Sequence, residues 1–158
     1  MTKRIIVLLL TVSCLILPLS SCDLLEDKVL CSLGECKSYE FYTEGAFQDY
    51  TDYAKYYYDS VDFTDNEYFS KISQSGIDAL NEHIDDFENM IEAYREGDAT
   101  REIVANYDFD RSIIDSEDYL YMDSEKHTVY NGVVFLVSYD VYFFDAQTNT
   151  LYYFHNNI

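Results

Sequence analysis

The chain contains no tryptophan, one proline and only five glycines in 158 residues. No internal repeat and no low-complexity segment is present. Basic residues are scarce, with ten Lys and Arg against thirty Asp and Glu and a formal net charge of −20. Nucleic acid and anionic lipid surfaces bind through Lys and Arg, so the deficit argues against both as partners. The Gly-x-Ser-x-Gly elbow of many serine hydrolases and the Asp-x-Asp-x-Asp-Gly order of an EF-hand are both missing. The main hydrophobic segment, Ile5 to Leu17, would span roughly 20 Å as a helix, short of the about 30 Å of a bilayer core. A permanent membrane span is therefore not expected from it.

What is present begins at the N-terminus. Lys3 and Arg4 precede that apolar segment, and Pro18, Leu19, Ser20, Ser21 and Cys22 follow it. Basic, apolar and then small residues are the order of a secretory signal. The run Leu19-Ser20-Ser21-Cys22 resembles the lipobox of bacterial lipoproteins. The resemblance implies a signal peptide over residues 1–21, a diacylglycerol on the Cys22 thiol, and an extracytoplasmic domain anchored to the cell membrane. Two long acyl chains hold a protein stably where one is marginal. Asp23 looks like the inner-membrane retention residue of some Gram-negative lipoproteins, whereas in a Gram-positive cell it carries no sorting meaning.

Cys14 would leave with the signal and Cys22 would be lipidated, so Cys31 and Cys36 remain. An even pair in an exported chain most simply forms a disulfide, here a small loop with Gly34 helping it to turn. A two-cysteine metal site is the alternative, with no histidine nearby to complete it. Residues 22–38 then read as a lipidated tether and 39–158 as a single globular domain. Without Lys3 and Arg4 the formal charge becomes −22. A composition that is 48% hydrophobic is enough to fill a core.

Phe47, Tyr50, Ala54 and Tyr57 recur at helical spacing, which predicts a helix within Glu40 to Tyr58. Thr64-Asp65-Asn66-Glu67 has the form of a capping box and predicts a short helix reaching Ile72. The clearest helix covers 77–96, where Ile77, Leu80, Ile84, Phe87, Ile91 and Tyr94 form one stripe, Ser75 caps the start and Gly97 follows the end. His83, at the stripe edge, reads as structural.

Beyond it the period changes to two. Asp118 to Met122 predicts a strand, Asn131-Gly132 a hairpin turn, and Val133 to Phe144 a long strand followed by a last one at 150–155. The expected fold is α+β, with N-terminal helices packed on one face of a C-terminal antiparallel β-meander. Val133, Phe135, Val137, Tyr139, Val141 and Phe143 form the face expected to be buried, and Ser138 and Asp140 belong to the wetter one.

A four-residue loop over 146–149 would pair Asp145 with Thr150, Tyr142 with Tyr153, and Asp140 with His155. Asp140 and His155 are the candidate catalytic residues, with Ser138 two positions away on the same face. A flat mid-strand serine offers neither an exposed nucleophile nor an oxyanion hole, so a cross-strand ion pair is the simpler reading. Asp59, Asp62, Asp65 and Glu67 are candidate calcium ligands, though the same acids suit a helix-opening segment; otherwise no cofactor is expected.

Seventeen tyrosines are the most unusual feature. Tyr56, Tyr57 and Tyr58 cannot all face a core, and exposed tyrosines suit recognition of proteins or glycans. The C-terminal run from Tyr139 to Ile158 looks like the endings of small lipoproteins of Gram-positive bacteria, a likeness that carries no activity with it. The expected function is a non-enzymatic, lipid-anchored envelope module binding a protein, peptide or glycan on the outer face. An envelope hydrolase using paired carboxylates and a calcium-binding surface protein are the alternatives.

Overall fold

The computed structural model describes residues 27–46, 49–130 and 133–157, with the side chains of residues 46, 49, 125–130 and 133–137 left aside. The signal segment, Cys22, Asp23, Phe47 and the Asn131-Gly132 turn lie outside the described residues. The chain divides into two compact units, residues 1–32 and 33–158. In the first, α1 (Lys28–Cys31) is capped by Asp27, whose Oδ1 accepts from the Val29 and Leu30 amides.

The second unit is α+β, built on one six-stranded antiparallel sheet. Its strands are β1 (Ser38–Ala46), β2 (Asp49–Tyr57), β3 (Ser70–Lys71), β4 (Tyr119–Tyr130), β5 (Val133–Asp145) and β6 (Thr150–Asn157), in the order β1-β2-β6-β5-β4-β3. Between β3 and β4 come α2 (Gln74–Gly97), α3 (Glu102–Asn106) and a short 3-10 turn over Arg111–Ile113.

The expected helix within Glu40 to Tyr58 is instead the β1–β2 pair, in register from Ser38 opposite Tyr57 to Ala46 opposite Asp49. The sheet therefore takes strands from both ends of the unit, and the N-terminal part contributes strands, not helices. The reason is local. Thr, Tyr and Phe dominate both segments and favour the pleated surface. Tyr39, Phe41 and Thr43 alternate with Glu40, Tyr42 and Glu44, a period of two that the helical spacing of Phe47, Tyr50, Ala54 and Tyr57 obscured.

The Thr64–Glu67 segment opens no α-helix either. Asn66 Oδ1 accepts from the Tyr68 and Phe69 amides at 2.9 and 3.0 Å, closing a turn before β3. The side-chain amide thus competes with helical geometry as short polar residues do.

α2 forms where the apolar stripe predicts it, but starts earlier. Its cap is Ser73, not Ser75: the Ser73 hydroxyl accepts from the Gly76 amide at 3.2 Å. Gly97 is the last helical residue and Asp98 the C-cap in an extended conformation, so no left-handed glycine ends the helix. Leu80, Ile84, Phe87 and Ile91 join Tyr53, Tyr139, Val141, Phe143 and Phe154 in one buried cluster. Phe87 meets Phe154 edge to face, with ring centroids 5.3 Å apart.

Tyr139, Val141 and Phe143 of β5 are buried as expected. The opposite face is wet only in part. Ser138 and Asp140 are partly exposed, but Tyr142 and Phe144 on that face are buried. Segment 58–69 supplies the rings that cover them: Phe63 lies 4.9 Å from Phe144 and Phe69 lies 6.4 Å from Tyr142. Among the described residues, no helix is long and apolar enough to cross a membrane.

Candidate functional site

Side chains alternate along each strand, so residues directly opposed in the register share a face. Three ladders cross the face that carries Asp140. The polar one runs Thr43, Asp52, His155, Asp140, Asp123 over β1, β2, β6, β5 and β4. Two residues along, an aromatic ladder runs Phe41, Ala54, Tyr153, Tyr142, Tyr121. Beyond it come Tyr39, Tyr56, Leu151, Phe144 and Tyr119.

Asp140 and His155 meet as the four-residue loop requires, in register with Asp145 opposite Thr150 and Tyr142 opposite Tyr153. Asp140 Oδ1 lies 2.8 Å from His155 Nδ1 and accepts from the Tyr153 hydroxyl at 2.7 Å. Burial pushes the Asp140 carboxyl up, but the bonds from His155 and Tyr153 outweigh it and hold the group below its ordinary range. An ionised carboxylate only accepts, so Nδ1 carries the imidazole proton. Tyr50 stacks on the His155 ring with centroids 4.7 Å apart.

No local pattern pointed to Asp52, which the β2–β6 register places opposite His155. Burial raises the Asp52 carboxyl above its usual range, against a lowering hydrogen bond from the Thr43 side chain. Asp52 Oδ1 and His155 Nε2 are both buried and make no hydrogen bond. Ser138 therefore does not reach Nε2, and the serine–histidine link a nucleophile needs is not formed.

The same face carries exposed rings. Tyr39 is 65% exposed, Phe41 45% and Tyr50 37%. Tyr50 sits opposite Gly45, which has no side chain to cover it. Tyr39 stacks on Tyr56, and Tyr153 on Tyr142, with centroids 5.8 and 4.8 Å apart.

The candidate calcium ligands do not come together. Asp59 pairs with Lys37, Asp62 Oδ1 accepts from the Thr64 amide at 2.9 Å, and Asp65 sits at a positive φ of 59° in the turn. Among the described residues, no group of three or more His, Cys, Asp or Glu is arranged to hold a metal. Cys31 is exposed and Cys36 partly buried.

Two open clefts lie elsewhere. One, of about 440 Å³, is lined by Phe63, Thr64, Tyr119, Phe144 and Asn149 among others; the second, about 380 Å³, opens by Lys71 and the start of α2. Neither is lined by Asp52, Asp140 or His155.

Another buried charged residue is Lys55, on the opposite face. Its Nζ lies 2.9 Å from both Glu40 Oε2 and Asp108 Oδ2, and Tyr53 donates to Asp108 at 2.8 Å. Burial lowers the Lys55 amine's pKa, but the bonds to Asp108 and Glu40 prevail and leave it raised. Every partner in this network is satisfied, which makes it a structural brace. His83 Nδ1 donates to the Ala79 carbonyl at 2.8 Å and the ring stands edge-on to Tyr139, while its Nε2 is buried without a hydrogen bond. Compared with known proteins, the chain matches no family, no curated protein and no solved structure.

Proposed function

We propose that the chain is a lipid-anchored envelope module that binds a protein, peptide or glycan through the aromatic ladders of its sheet. The lipid on Cys22 and the extracytoplasmic address follow from the lipobox resemblance and the preceding basic and apolar residues. In that arrangement the helices cover one face of the sheet, segment 58–69 covers Tyr142 and Phe144 on the other, and the Tyr39, Phe41 and Tyr50 rings of that second face are left for the ligand.

The observation that carries the reading is that Tyr39, Phe41 and Tyr50 are exposed together on the face that also holds Asp52 and Asp140. Rings with polar tips beside carboxylates offer stacking surface and hydrogen bonds at low entropic cost. Co-sedimentation of the exported domain with purified cell-wall sacculi tests it. The wild type should be retained, and Tyr39→Ala with Phe41→Ala should weaken retention about tenfold while leaving the circular dichroism unchanged. Equal retention of both forms, or none of either, removes the reading.

A carboxylate hydrolase keeps one point in its favour: the Asp52 carboxyl is raised and the Asp140 carboxyl lowered on either side of His155. The enclosure of Asp52 Oδ1 and His155 Nε2 weighs against it, since a substrate has to reach both.

A further inference from the structure

β1 is one edge of the sheet, and no strand among the described residues pairs with its outer side. An edge strand presents a row of unpaired N–H and C=O groups, which proteins commonly blunt with a lysine, a proline or a very short strand. β1 is nine residues long and contains neither lysine nor proline. Its two acids are spent on the face opposite the ladders, Glu40 on Lys55 at 2.9 Å and Glu44 on Arg101 at 2.7 Å. On the ladder face it offers Tyr39 and Phe41, 65% and 45% exposed. The other edge of the sheet shows how an extended segment fills such a place. There β3 pairs with β4, Ser70 opposite Leu120 and Lys71 opposite Tyr119. Just before it, Tyr68 and Phe69 bring their rings to 5.4 Å from Tyr121 and 6.4 Å from Tyr142. One stretch of chain thus supplies both the paired backbone and the rings that cover the ladders.

We infer that β1 takes up an extended segment of a protein partner as an added strand, with aromatic residues on the ladder face and basic residues alternating between them. The inference rests on the ladder face being a binding surface, and it names the class of ligand. A row of donors and acceptors at strand spacing is matched by a second extended backbone, which a glycan does not have. Residues of the added strand opposite Tyr39 and Phe41 fall on the ladder face, where ring meets ring. Residues opposite Glu40 and Glu44 fall on the other face. Lys55 there serves two carboxylates, Glu40 and Asp108, so one negative charge beside β1 stays unbalanced. The net charge of −20 draws basic residues to the same place. A second copy of this chain is a poorer occupant: pairing about Tyr42 would set Glu40 against Glu44 of the copy, like charges directly opposed.

Titration of the protein, purified as the cell makes it, with synthetic peptides of nine residues, the length of β1, tests the added strand. A peptide alternating tyrosine with lysine should bind at least about tenfold more tightly than one of the same composition written as a tyrosine block and a lysine block. The block peptide carries the same charge but cannot set its rings on one face. Tyr39→Ala with Phe41→Ala should weaken the alternating peptide about tenfold. N-methylation of the tyrosines in one peptide and of the lysines in another should abolish binding in one case and spare it in the other, because alternate amides face β1. Equal binding of the alternating and block peptides would leave only attraction to the net charge and overturn the inference. Equal effects of the two methylations would mean that no strand is added.

Amide hydrogen exchange of the wild type gives a second readout that does not depend on any variant folding. With the alternating peptide bound at saturation, the outward amides of β1 should exchange at least about tenfold more slowly, and those of β6 should be unchanged. Unchanged exchange in β1 overturns the inference. Retention on sacculi separates this inference from the broader reading. If the Tyr39→Ala, Phe41→Ala form loses that retention while no peptide binds, the ladder face is a glycan surface and the added strand is removed. If neither sacculi nor peptide bind, both fall together.

Discussion

Asp140 on β5 and His155 on β6 face each other at 2.8 Å because Asp145 fixes the turn that joins their strands. Asp145 Oδ1 accepts from the Gln147 and Thr148 amides at 2.8 and 3.3 Å, and Oδ2 accepts from the Thr148 hydroxyl at 2.6 Å. A one-residue slip would send every side chain of β6 to the other face. The turn therefore decides whether the polar ladder exists.

Asp145→Ala should cost about 1–3 kcal/mol, the worth of buried polar groups left without their acceptor. Urea unfolding measures the loss, and a broadened His155 resonance in the variant would report the loosened register. An unchanged midpoint would mean the strand register is held by the ladders alone.

Asp140→Asn should destabilise the domain by about 1–2 kcal/mol at pH 7, a figure already discounted because the carboxylate is about a third open to solvent. The pH dependence has a definite sign. The native Asp140 carboxyl is held low, so its contribution is complete above the ordinary carboxylate range and is lost as pH falls through the lowered native value. Asp52, held high, works the other way and adds stability as pH falls through its raised value. Unfolding curves taken from pH 7 to pH 3 should therefore show the Asp140→Asn deficit shrinking below about pH 4.

Phe87→Ala should cost about 3–5 kcal/mol, since its ring is fully buried against Tyr53, Tyr107 and Phe154. Tyr39→Ala, at an exposed position, should stay within about 0.5 kcal/mol. Similar losses from the two substitutions, measured in the same denaturant series, would contradict the placement of the core.

Lys55→Met should cost about 1 kcal/mol, because Glu40 and Asp108 keep substantial solvent contact when their cation is removed. The sharper readout is titration. Both acids are held low in the native protein, Glu40 first by the Lys55 bond and Asp108 by the Lys55 and Tyr53 bonds against burial. Carboxyl carbon NMR of the variant should show both move up, and unmoved carboxyls would mean the brace is not what lowers them.

The lipobox reading predicts that Cys22→Ser transfers the protein from the membrane fraction to the soluble exported fraction. The proposed Cys31–Cys36 disulfide predicts no thiol-reactive cysteine in the denatured, unreduced wild-type protein, Cys22 being acylated. Two reactive thiols there would exclude the bridge.

What could be read in advance from this sequence follows from how local each signal is. The α2 stripe and the four-residue loop at 146–149 depend on spacing within a few residues, and both were legible. The Asp140–His155 pair came with the loop, because register counts outward from a turn. The β1–β2 pair was misread: in a chain so rich in tyrosine, rings fall at helical spacing and at strand spacing alike, and pairing with β6 decides between them. Asp52 was invisible for the same reason. It gains a histidine neighbour only when a strand about a hundred residues away aligns beside it. Composition and the N-terminal motif by themselves gave the acidity, the tyrosine surplus and the lipobox, which need no partner to exist. Tertiary structure alone chose which rings stay exposed and brought Asp52 into line with His155, because burial and strand register belong to pairs of strands.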